Sequence, residues 1–411
     1  MNSPSAEVVT AGEVGSFRGG SGFPVRFQGR KSGELPFFKV SDMNRPGNEL
    51  FMVRANNYVG EDARKSMGAV RIPAGAIVFA KVGAAVYLER KRILGQDSCI
   101  DNNLAAFVVD DSRYDVRFLH YLLSDFRLSS LVATTALPSL NGTQLRSIPL
   151  RVPATLEEQR EIARLLSSAD ALIASLERII AKKKAMKQGM MQQLLNGRTR
   201  LPGFAAEWDS TTLGAVADVK TGPFGSSLHE SDYVISGTPI ITVEHLAERG
   251  IRGQGAPMVS DVDRLRLQGY ALRAGDVVFS RVGSIDRNAR VSEAEEGWLF
   301  SGRLLRVRFD PRRADSKFMS AQFSSPAFIE AVRAVAVGQT MPSLNTAILK
   351  GIQIQLPPLR EQQAIGAIAE DLNRELDVLE RRAKSTKNLR RGMMQELLTG
   401  RTRLVPMEVS V

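Results

Sequence analysis

The chain of 411 residues has few of the side chains that most enzyme sites require. It has one cysteine, Cys99, and three histidines, His120, His229 and His245, which are far apart in the sequence. A single cysteine excludes an intrachain disulfide and a Cys-x-x-Cys zinc site. The chain also has no Gly-x-x-x-x-Gly-Lys-Ser/Thr phosphate loop and no Asp/Asn-Pro-Pro-Tyr/Phe motif. We therefore expect no catalytic residue, no metal site and no cofactor in this chain.

Long apolar runs are missing as well. No stretch approaches the ~18 apolar residues of a membrane-spanning helix, and the N-terminus lacks a basic start followed by an apolar run. With one cysteine, the expected location is the cytoplasm, with no membrane partner. Aromatic residues make up only 6% of the chain, which is low for a domain that stacks single-stranded bases.

The net charge of +11 favours a polyanionic partner such as nucleic acid, although some merely basic soluble proteins share it. Because aromatic residues are scarce, duplex DNA read through its grooves is the better nucleic-acid hypothesis. The glycine-rich stretch 19–22 could cradle a phosphate. It neither follows a clear strand nor opens a helix, so we interpret it as an ordinary glycine loop.

The chain is an internal duplication. Residues 156–201 and 359–404 match without a gap at 19 of 46 positions, including Glu-Gln near the start, Gly-Met-Met-Gln near the end, and a final Gly-Arg-Thr-Arg-Leu. The preceding parts also match, for example at Pro-Ser-Leu-Asn, residues 138–141 and 342–345. Short β-branched runs at 76–80 and 277–280 predict strands, and apolar spacing at 116–131 and 316–335 predicts helices. The expected fold class is α+β, with two similar α+β domains, each followed by a long α-helix.

Each repeated segment predicts one helix of about 40 residues. Thr155 and Glu158 have the spacing of a capping box, Pro357-Pro358 stops the strand before the second copy, and Gly197 and Gly400 stand where a helix ends. Apolar residues at alternating steps of four and three predict a coiled-coil seam, weakened by lysines in the first copy. The predicted seam contains Ile173, Leu176, Ile180, Met190, Leu194, Leu376, Leu379, Met393 and Leu397.

Charge predicts the direction of this pairing. Residues 156–177 and 359–380 carry −3 and −4, whereas 178–201 and 381–404 carry +7 each. Antiparallel packing sets each basic half against an acidic one, so we expect an antiparallel coiled coil with pseudo-twofold symmetry. The basic halves together carry +14, which leaves −3 for the rest of the chain. We therefore interpret Lys182-Lys183-Lys184 as a solvated face or a partner for acidic residues, rather than as a DNA track.

DNA contacts, if they occur, should come from loops of the globular parts. The candidates are basic residues at matched positions of the two copies: Arg18 and Lys220 beside glycines, and Lys81 and Arg281 before Val-Gly. A solvated surface charge is the alternative for each. For Pro-Ser-Leu-Asn we favour a structural turn that leads into the last strand.

The doubled arrangement of variable domain, Pro-Ser-Leu-Asn, Glu-Gln early in a long helix and Gly-Met-Met-Gln-x-Leu-Leu-x-Gly near its end resembles the specificity subunit of type I restriction-modification systems. The resemblance covers nearly the whole chain. It implies target recognition domains at 1–153 and 202–356, a spacer helix at 154–201, and a second spacer helix with the C-terminal tail at 357–411. Ala154 stands where the second copy has Pro358, with one extra residue, so the two helix entries should differ slightly.

The resemblance also implies a function. Such a subunit is not catalytic: it reads a bipartite, asymmetric duplex DNA site and docks two methyltransferase subunits and, through them, helicase-nuclease restriction subunits. S-adenosylmethionine, ATP and Mg²⁺ would be used by those partners. The alternative from another class is a bivalent protein-binding scaffold without DNA recognition. The sequence leaves open the target sequence, the spacer length and whether a nuclease accompanies the methyltransferase.

Overall fold

A computed structural model describes residues 6–132, 138–223, 228–335 and 343–404. The chain forms two compact units. One contains residues 1–175 and 383–411, and the other contains residues 176–382. Each unit includes one α/β domain together with one half of each long helix, whereas the four predicted segments divide the chain linearly. No described helix is long and apolar enough to cross a membrane.

The first unit contains a mixed α/β domain. Its elements are β1 (Glu7–Thr10), α1 (Ala11–Val14), β2 (Gly15–Gly19), β3 (Leu35–Phe38), β4 (Phe51–Met52), β5 (Tyr58–Val59), α2 (Glu61–Ser66), β6 (Ile77–Ala80), β7 (Lys91–Leu94), β8 (Cys99–Ile100), β9 (Leu104–Val109), α3 (Val116–Asp125), α4 (Gly142–Arg146), β10 (Pro149–Val152) and the start of α5 (Leu156–Leu195). The main sheet has the order β2-β9-β6-β7-β4. A smaller sheet has the order β5-β3-β8, and β1 pairs with β10.

The second unit repeats this plan. Its elements are β11 (Asp209–Thr212), α6 (Leu213–Val216), β12 (Ala217–Thr221), β13 (Tyr233–Val234), β14 (Thr238–Ile241), β15 (Leu246–Ala247), β16 (Gly250–Ile251), β17 (Met258–Val259), α7 (Asp261–Arg266), β18 (Val277–Ser280), β19 (Asn288–Arg290), β20 (Leu299–Phe300), β21 (Leu304–Phe309), α8 (Ser316–Phe323), α9 (Pro326–Val335), α10 (Thr346–Gly351), β22 (Gln353–Leu356) and the start of α11 (Leu359–Leu397). The sheet order β12-β21-β18-β19 matches β2-β9-β6-β7. The predicted duplication is therefore also a duplication of strand order.

Both main sheets are antiparallel across their shared strands, and alternate side chains fill two cores. In the first unit, Ile77 and Phe79 of β6 face a core that includes α3, the start of α5 and the end of α11. Val78 and Ala80 face a second core under the small sheet. The long helices thus cover one face of each sheet and leave the other face to the variable segments.

Two predicted helices are shorter than expected. The predicted helix 116–131 ends at Asp125, because the carboxylate of Glu89 accepts hydrogen bonds from the Leu128 and Ser129 N–H groups and holds a separate 3-10 turn there. The predicted helix 316–335 is two helices, separated at Ser324 and Ser325. Pro326 opens the second helix, because proline has no N–H to donate and disfavours helical backbone in the residue before it.

Candidate nucleic-acid interface

A basic residue follows strand β6 of the first main sheet and strand β18 of the second. Backbone hydrogen bonds hold it in place in both units. In the first unit, the Lys81 N–H donates to the Asn103 carbonyl at 2.8 Å, and the Lys81 carbonyl accepts from the Leu140 N–H at 2.9 Å. Val82 forms a β-bridge with Ser139. The Pro-Ser-Leu segment therefore clamps the loop Lys81-Val82-Gly83 from one side.

The second unit has the same clamp. The Arg281 N–H donates to the Arg303 carbonyl at 2.9 Å, the Arg281 carbonyl accepts from Leu344 at 2.8 Å, and Val282 bridges to Ser343. Pro342 of this second Pro-Ser-Leu-Asn lies outside the described residues. We call residues 81–83 and 281–283 the basic loops. Their last residues, Gly83 and Gly283, have φ values of 78° and 75°, in the region that favours glycine.

The asparagine that ends each Pro-Ser-Leu-Asn caps a short helix. The Asn141 side chain accepts from the Gln144 N–H at 2.8 Å, and the Asn345 side chain accepts from the Ile348 N–H at 2.8 Å. The motif thus bridges to the basic loop and then starts a helix before the last strand. These contacts confirm the structural interpretation of the motif.

The matched glycines that follow β2 and β12 have a packing role. A Cβ on Gly20 would lie 1.8 Å from the Asp101 carbonyl oxygen, and one on Gly222 would lie 2.1 Å from the Ser301 carbonyl oxygen. Each glycine is therefore required by the close approach of the neighbouring turn. This supports a structural reason for Gly20 within the stretch 19–22, which we interpret as an ordinary glycine loop.

The other two candidate residues differ between the copies. Arg18 on β2 is exposed. Lys220, at the matched position on β12, donates from Nζ to the Gly269 carbonyl at 2.8 Å, and Nζ lies 4.4 Å from the centre of the Tyr270 ring. The Lys220 ammonium is thus already engaged within its own unit. Lys81 and Arg281 are both half-buried at the sheet ends.

Three buried titratable side chains of the first unit have shifted pKa values. Burial raises the pKa of the Cys99 thiol to about 11 and lowers the pKa of His120, whose Nε2 lies 3.1 Å from the Lys91 carbonyl oxygen. Burial also lowers the pKa of Lys91, which bonds to Glu89 and the Phe126 carbonyl. Among the described residues, no three His, Cys, Asp or Glu side chains are grouped so as to hold a metal ion.

The long helices run antiparallel within each unit. In the second unit, Lys183 and Lys184 of α5 form ion pairs with Glu375 and Glu380 of α11 at 2.5 and 2.8 Å. The Lys187 Nζ lies 2.5 Å from the Asn373 Oδ1. The interpretation of the lysine run as a partner for acidic residues is therefore confirmed for Lys183 and Lys184.

The first unit contains the reciprocal pairing. Asp170 of α5 forms an ion pair with Arg390 of α11 and also accepts from the Tyr121 hydroxyl at 2.8 Å. Near the start of α5, Glu158 pairs with Arg403 at 2.7 Å. In both units an acidic half-helix thus contacts a basic one, as the charge pattern predicts.

The predicted seam residues are not equally buried. Leu176, Leu194, Leu376 and Leu397 are buried, whereas Ile173, Ile180, Leu379 and Met393 are half-buried. Met190 is 38% exposed, and its neighbour Met191 is buried at 7%. The assignment of Met190 to the seam therefore stays a prediction, and Met191 is the methionine that is buried in its unit. Met191 packs with Leu194 on the core of the second unit.

Sequence reasoning did not assign a role to the repeated glutamines. Gln159, which is 1% exposed, accepts from the Asp115 N–H at 2.9 Å and donates to the Pro153 carbonyl at 3.1 Å. Asp115 is the N-cap of α3, so the glutamine joins the start of α5 to a helix of the α/β domain in the first unit. The identity of Glu-Gln in both copies was the available signal.

Gln362 makes the equivalent link in the second unit. Its Oε1 accepts from the N–H of Asp315, the N-cap of α8, at 2.9 Å. Its Nε2 donates to the carbonyls of Pro357 at 2.8 Å and Arg313 at 3.1 Å. Glutamine suits this role because one amide group offers both an acceptor and two donors.

The Arg-Thr-Arg ends also have a role that the sequence only marked as a repeat. Arg200 forms a two-bond ion pair with Glu361, at 2.7 and 2.6 Å, in the second unit. Arg403 forms the matching pair with Glu158 in the first unit. The end of each repeated segment thus holds the Glu-Gln start of the other.

Comparison with known proteins places the chain in a family. The family model of the type I restriction modification DNA specificity domain matches residues 5–184 and again residues 206–386. The chain belongs to this family. It is 21% identical over 326 residues to the type I restriction enzyme MjaVIII specificity subunit of Methanocaldococcus jannaschii, with 76% of each chain covered. It is 25% identical over 299 residues to the StySPI specificity subunit of Salmonella potsdam, covering 68% of this chain and 63% of that one.

Solved structures show the same fold. The S subunit of a type I restriction-modification system from M. genitalium is similar with a TM-score of 0.64 at 14% identity, over 97% of both chains. A second structure, described as showing complex assembly and conformational transition of the type I system, gives a TM-score of 0.52 at 16% identity, over 96% and 98%. The predicted resemblance and fold class are confirmed.

Proposed function

We propose that this chain is the DNA-sequence specificity subunit of a type I restriction-modification complex, and that it reads a bipartite, asymmetric duplex site. One observation carries the proposal: the basic loops 81–83 and 281–283 occur at the same place in two similar domains and are clamped by the same backbone bonds. Two domains of one design suit two half-sites. The segments around the loops differ in sequence and strand content, so the half-sites should differ as well.

The loops suit contact with a duplex. A basic side chain on a fixed backbone at a sheet end can bind phosphate oxygens or the acceptor edge of guanine in the major groove. Lys81 and Arg281 are the contacts that we propose first, and Arg18 is a further candidate in the first domain. Lys220 is a weaker candidate, because its ammonium group is held by Gly269 and Tyr270.

We infer that the subunit itself is not catalytic and docks two methyltransferase subunits and, through them, restriction subunits. The support is the family to which the chain belongs. Methyl transfer from S-adenosylmethionine and any ATP- and Mg²⁺-dependent cleavage would then belong to the partners. The antiparallel helices, whose charges are matched within each unit, would act as the spacer and the docking surface.

Sequencing of modified adenines tests the proposal directly. Two strains are compared, one with and one without the gene for this chain, and both carry the methyltransferase gene. We expect a split motif of two unlike halves that is present only with the gene. A continuous palindrome, or an unchanged methylation pattern, would contradict the proposed function. A bivalent protein scaffold would instead bind its partners and leave methylation unchanged.

The basic loops are tested by substitution. Lys81→Gln and Arg281→Gln are each assembled with methyltransferase subunits, and the affinity for the identified site is measured. We expect weaker binding for both variants, with Lys81→Gln and Arg281→Gln acting on different halves of the motif. If both variants keep the wild-type affinity and sequence preference, the basic loops are not the contacts.

A further inference from the structure

The two recognition domains differ in charge just after the matched strands β2 and β12. Residues 18–39 contain five Lys or Arg and one Glu, a net charge of +4. Residues 220–241, which are the matched segment at an offset of 202, contain one Lys, one Glu and one Asp, a net charge of −1. Most of the sheet and the basic loops are shared, so this difference of five charges distinguishes the two domains.

In the first domain the segment is an ordered loop that is attached at both ends. The Gly20 and Ser21 N–H groups donate to the carbonyls of Leu104 and Ile100 at 3.1 and 2.9 Å. The Phe23 ring stacks on Phe37, with 3.8 Å between ring centres. These contacts fix the start of the loop to the main and small sheets.

The far end of the loop is fixed by different bonds. The Gly29 N–H donates to the Asn57 Oδ1 at 2.9 Å, and the Tyr58 N–H donates to the Arg30 carbonyl at 2.9 Å. Between these attachments Val25 is 82% exposed, so the middle of the loop projects into solvent. The Gln28 side chain bonds back to the Phe23 carbonyl at 2.8 Å and stiffens the projection.

Three cations lie on this projecting loop. Arg26, Arg30 and Lys31 are exposed. Within the described part of the chain, none of the three forms an ion pair, although the Arg26 guanidinium lies 4.9 Å from the centre of the Phe27 ring. The cations of the long helices contrast with this, because Lys183, Lys184 and others are matched to carboxylates.

We propose that this loop, residues 18–31, binds the phosphate backbone of duplex DNA and that the second domain has no equivalent contact. The proposal rests on the proposed function and adds an asymmetry to it. An ordered backbone lowers the entropy cost of binding, and unpaired guanidinium and ammonium groups can replace the counterions of phosphates. Binding of the first half-site should therefore depend more on phosphate contacts by Lys and Arg. Binding of the second half-site should depend more on uncharged contacts.

The test uses the full chain assembled with methyltransferase subunits. In the triple variant, Arg26, Arg30 and Lys31 are each replaced by Gln, and the affinity for the identified duplex is measured against salt. Each lost phosphate contact should reduce the slope of log K against log salt by ~0.9, so three contacts reduce it by ~2.7. Between about 50 and 200 mM salt, wild-type affinity should then fall roughly 40-fold more than that of the variant.

A matched control separates a local contact from a change in net charge. The control uses three exposed arginines of the same unit, Arg113, Arg146 and Arg151. Arg113 follows the opposite end of β9, and Arg146 and Arg151 lie on α4 and β10. Replacing these three by Gln removes the same charge. The slope of log K against log salt should then differ from the wild-type slope by less than ~0.9, the value of one phosphate contact. An equal loss of slope in both variants overturns the proposal.

Further outcomes distinguish failure of the loop from failure of the proposed function. If wild-type complexes show no preference for any DNA sequence, the proposed function fails. If they show a preference and the triple variant keeps the wild-type affinity and slope, only the loop proposal fails. A changed half-motif with an unchanged slope would mean that the loop reads bases, and loss of methyltransferase binding would mean that it docks protein. Either result also overturns the phosphate assignment.

Discussion

Replacing Gln362 by methionine tests whether the repeated glutamine holds each recognition domain on its helix. Methionine has a similar volume and no amide, so the variant Q362M loses polar contacts without opening a large cavity. Three hydrogen bonds disappear, to Asp315, Pro357 and Arg313. Gln159→Met in the first unit loses two, to Asp115 and Pro153.

The expected magnitudes follow from burial. In each copy the bond to the proline carbonyl is buried, and the remaining bonds are partly buried. We take about 2 kcal/mol for a buried bond left unmade and about 1 kcal/mol for each partly buried one. The free energy of unfolding should then fall by about 4 kcal/mol for Q362M and about 3 kcal/mol for Q159M. Gln363→Met, at the exposed neighbouring position, should cost less than about 0.5 kcal/mol.

Urea unfolding followed by two signals makes the assay specific to each unit. Both tryptophans, Trp208 and Trp298, lie in the second unit, so fluorescence reports on that unit, while circular dichroism reports on the whole chain. Q362M should shift the fluorescence transition to lower urea. If the units unfold separately, Q159M should shift part of the dichroism transition and leave the fluorescence in place.

Two results would refute the reasoning. The glutamine has no structural role if Q362M is no less stable than the control at position 363. The count of hydrogen bonds fails to predict the order if Q159M is clearly the more destabilising of the two glutamine variants. In either case, the repeated Glu-Gln would have to be explained by a partner of the complex.

Three further predictions concern packing, capping and ionisation. Gly366→Ala should lower the free energy of unfolding by about 1–3 kcal/mol, because the added Cβ would lie 2.6 Å from the Asp315 Oδ1. Urea unfolding measures this, and a variant at least as stable as the wild type would contradict it. Asn345→Ala should cost about 1 kcal/mol through loss of the cap on Ile348, and Asn345→Asp should retain most of it. Burial raises the pKa of Cys99 to about 11, so the stability that the protonated thiol contributes is complete below pH ~9 and is lost as pH rises through about 11. Wild type should therefore lose stability relative to Cys99→Ala over that range, and parallel pH profiles would refute the burial argument.

Much of the fold can be predicted because the sequence is an internal duplication, so each pattern occurs twice. The spacing of apolar residues and the terminal glycines predict two long helices, and these run over Leu156–Leu195 and Leu359–Leu397. The opposite charges of the helix halves predict their antiparallel pairing in each unit. These signals are local or repeated, so they are visible without knowing what the helices touch.

The site is less accessible from sequence, because its contacts join distant residues. Lys220 and Arg18 occupy matched positions, yet only Lys220 is held by a carbonyl and a ring 49 and 50 residues further along the chain. Met190 and Met191 both fit an apolar pattern, and the packing of the helix on its own unit decides between them. No pattern of local propensity contains this information.

The sequence by itself determined the duplication, the α+β class, the length of the helices and the sense of their pairing, because each follows from periodicity and charge along a single segment. Only the tertiary structure decided that each compact unit combines one recognition domain with halves of both helices. It also decided that Gln159, Gln362 and the Arg-Thr-Arg ends hold the helix starts. Arg26, Arg30 and Lys31 of loop 18–31 are exposed and form no ion pair with any residue that the structure describes. These outcomes depend on hydrogen-bond geometry and burial between groups far apart in the chain, which residue order does not encode directly.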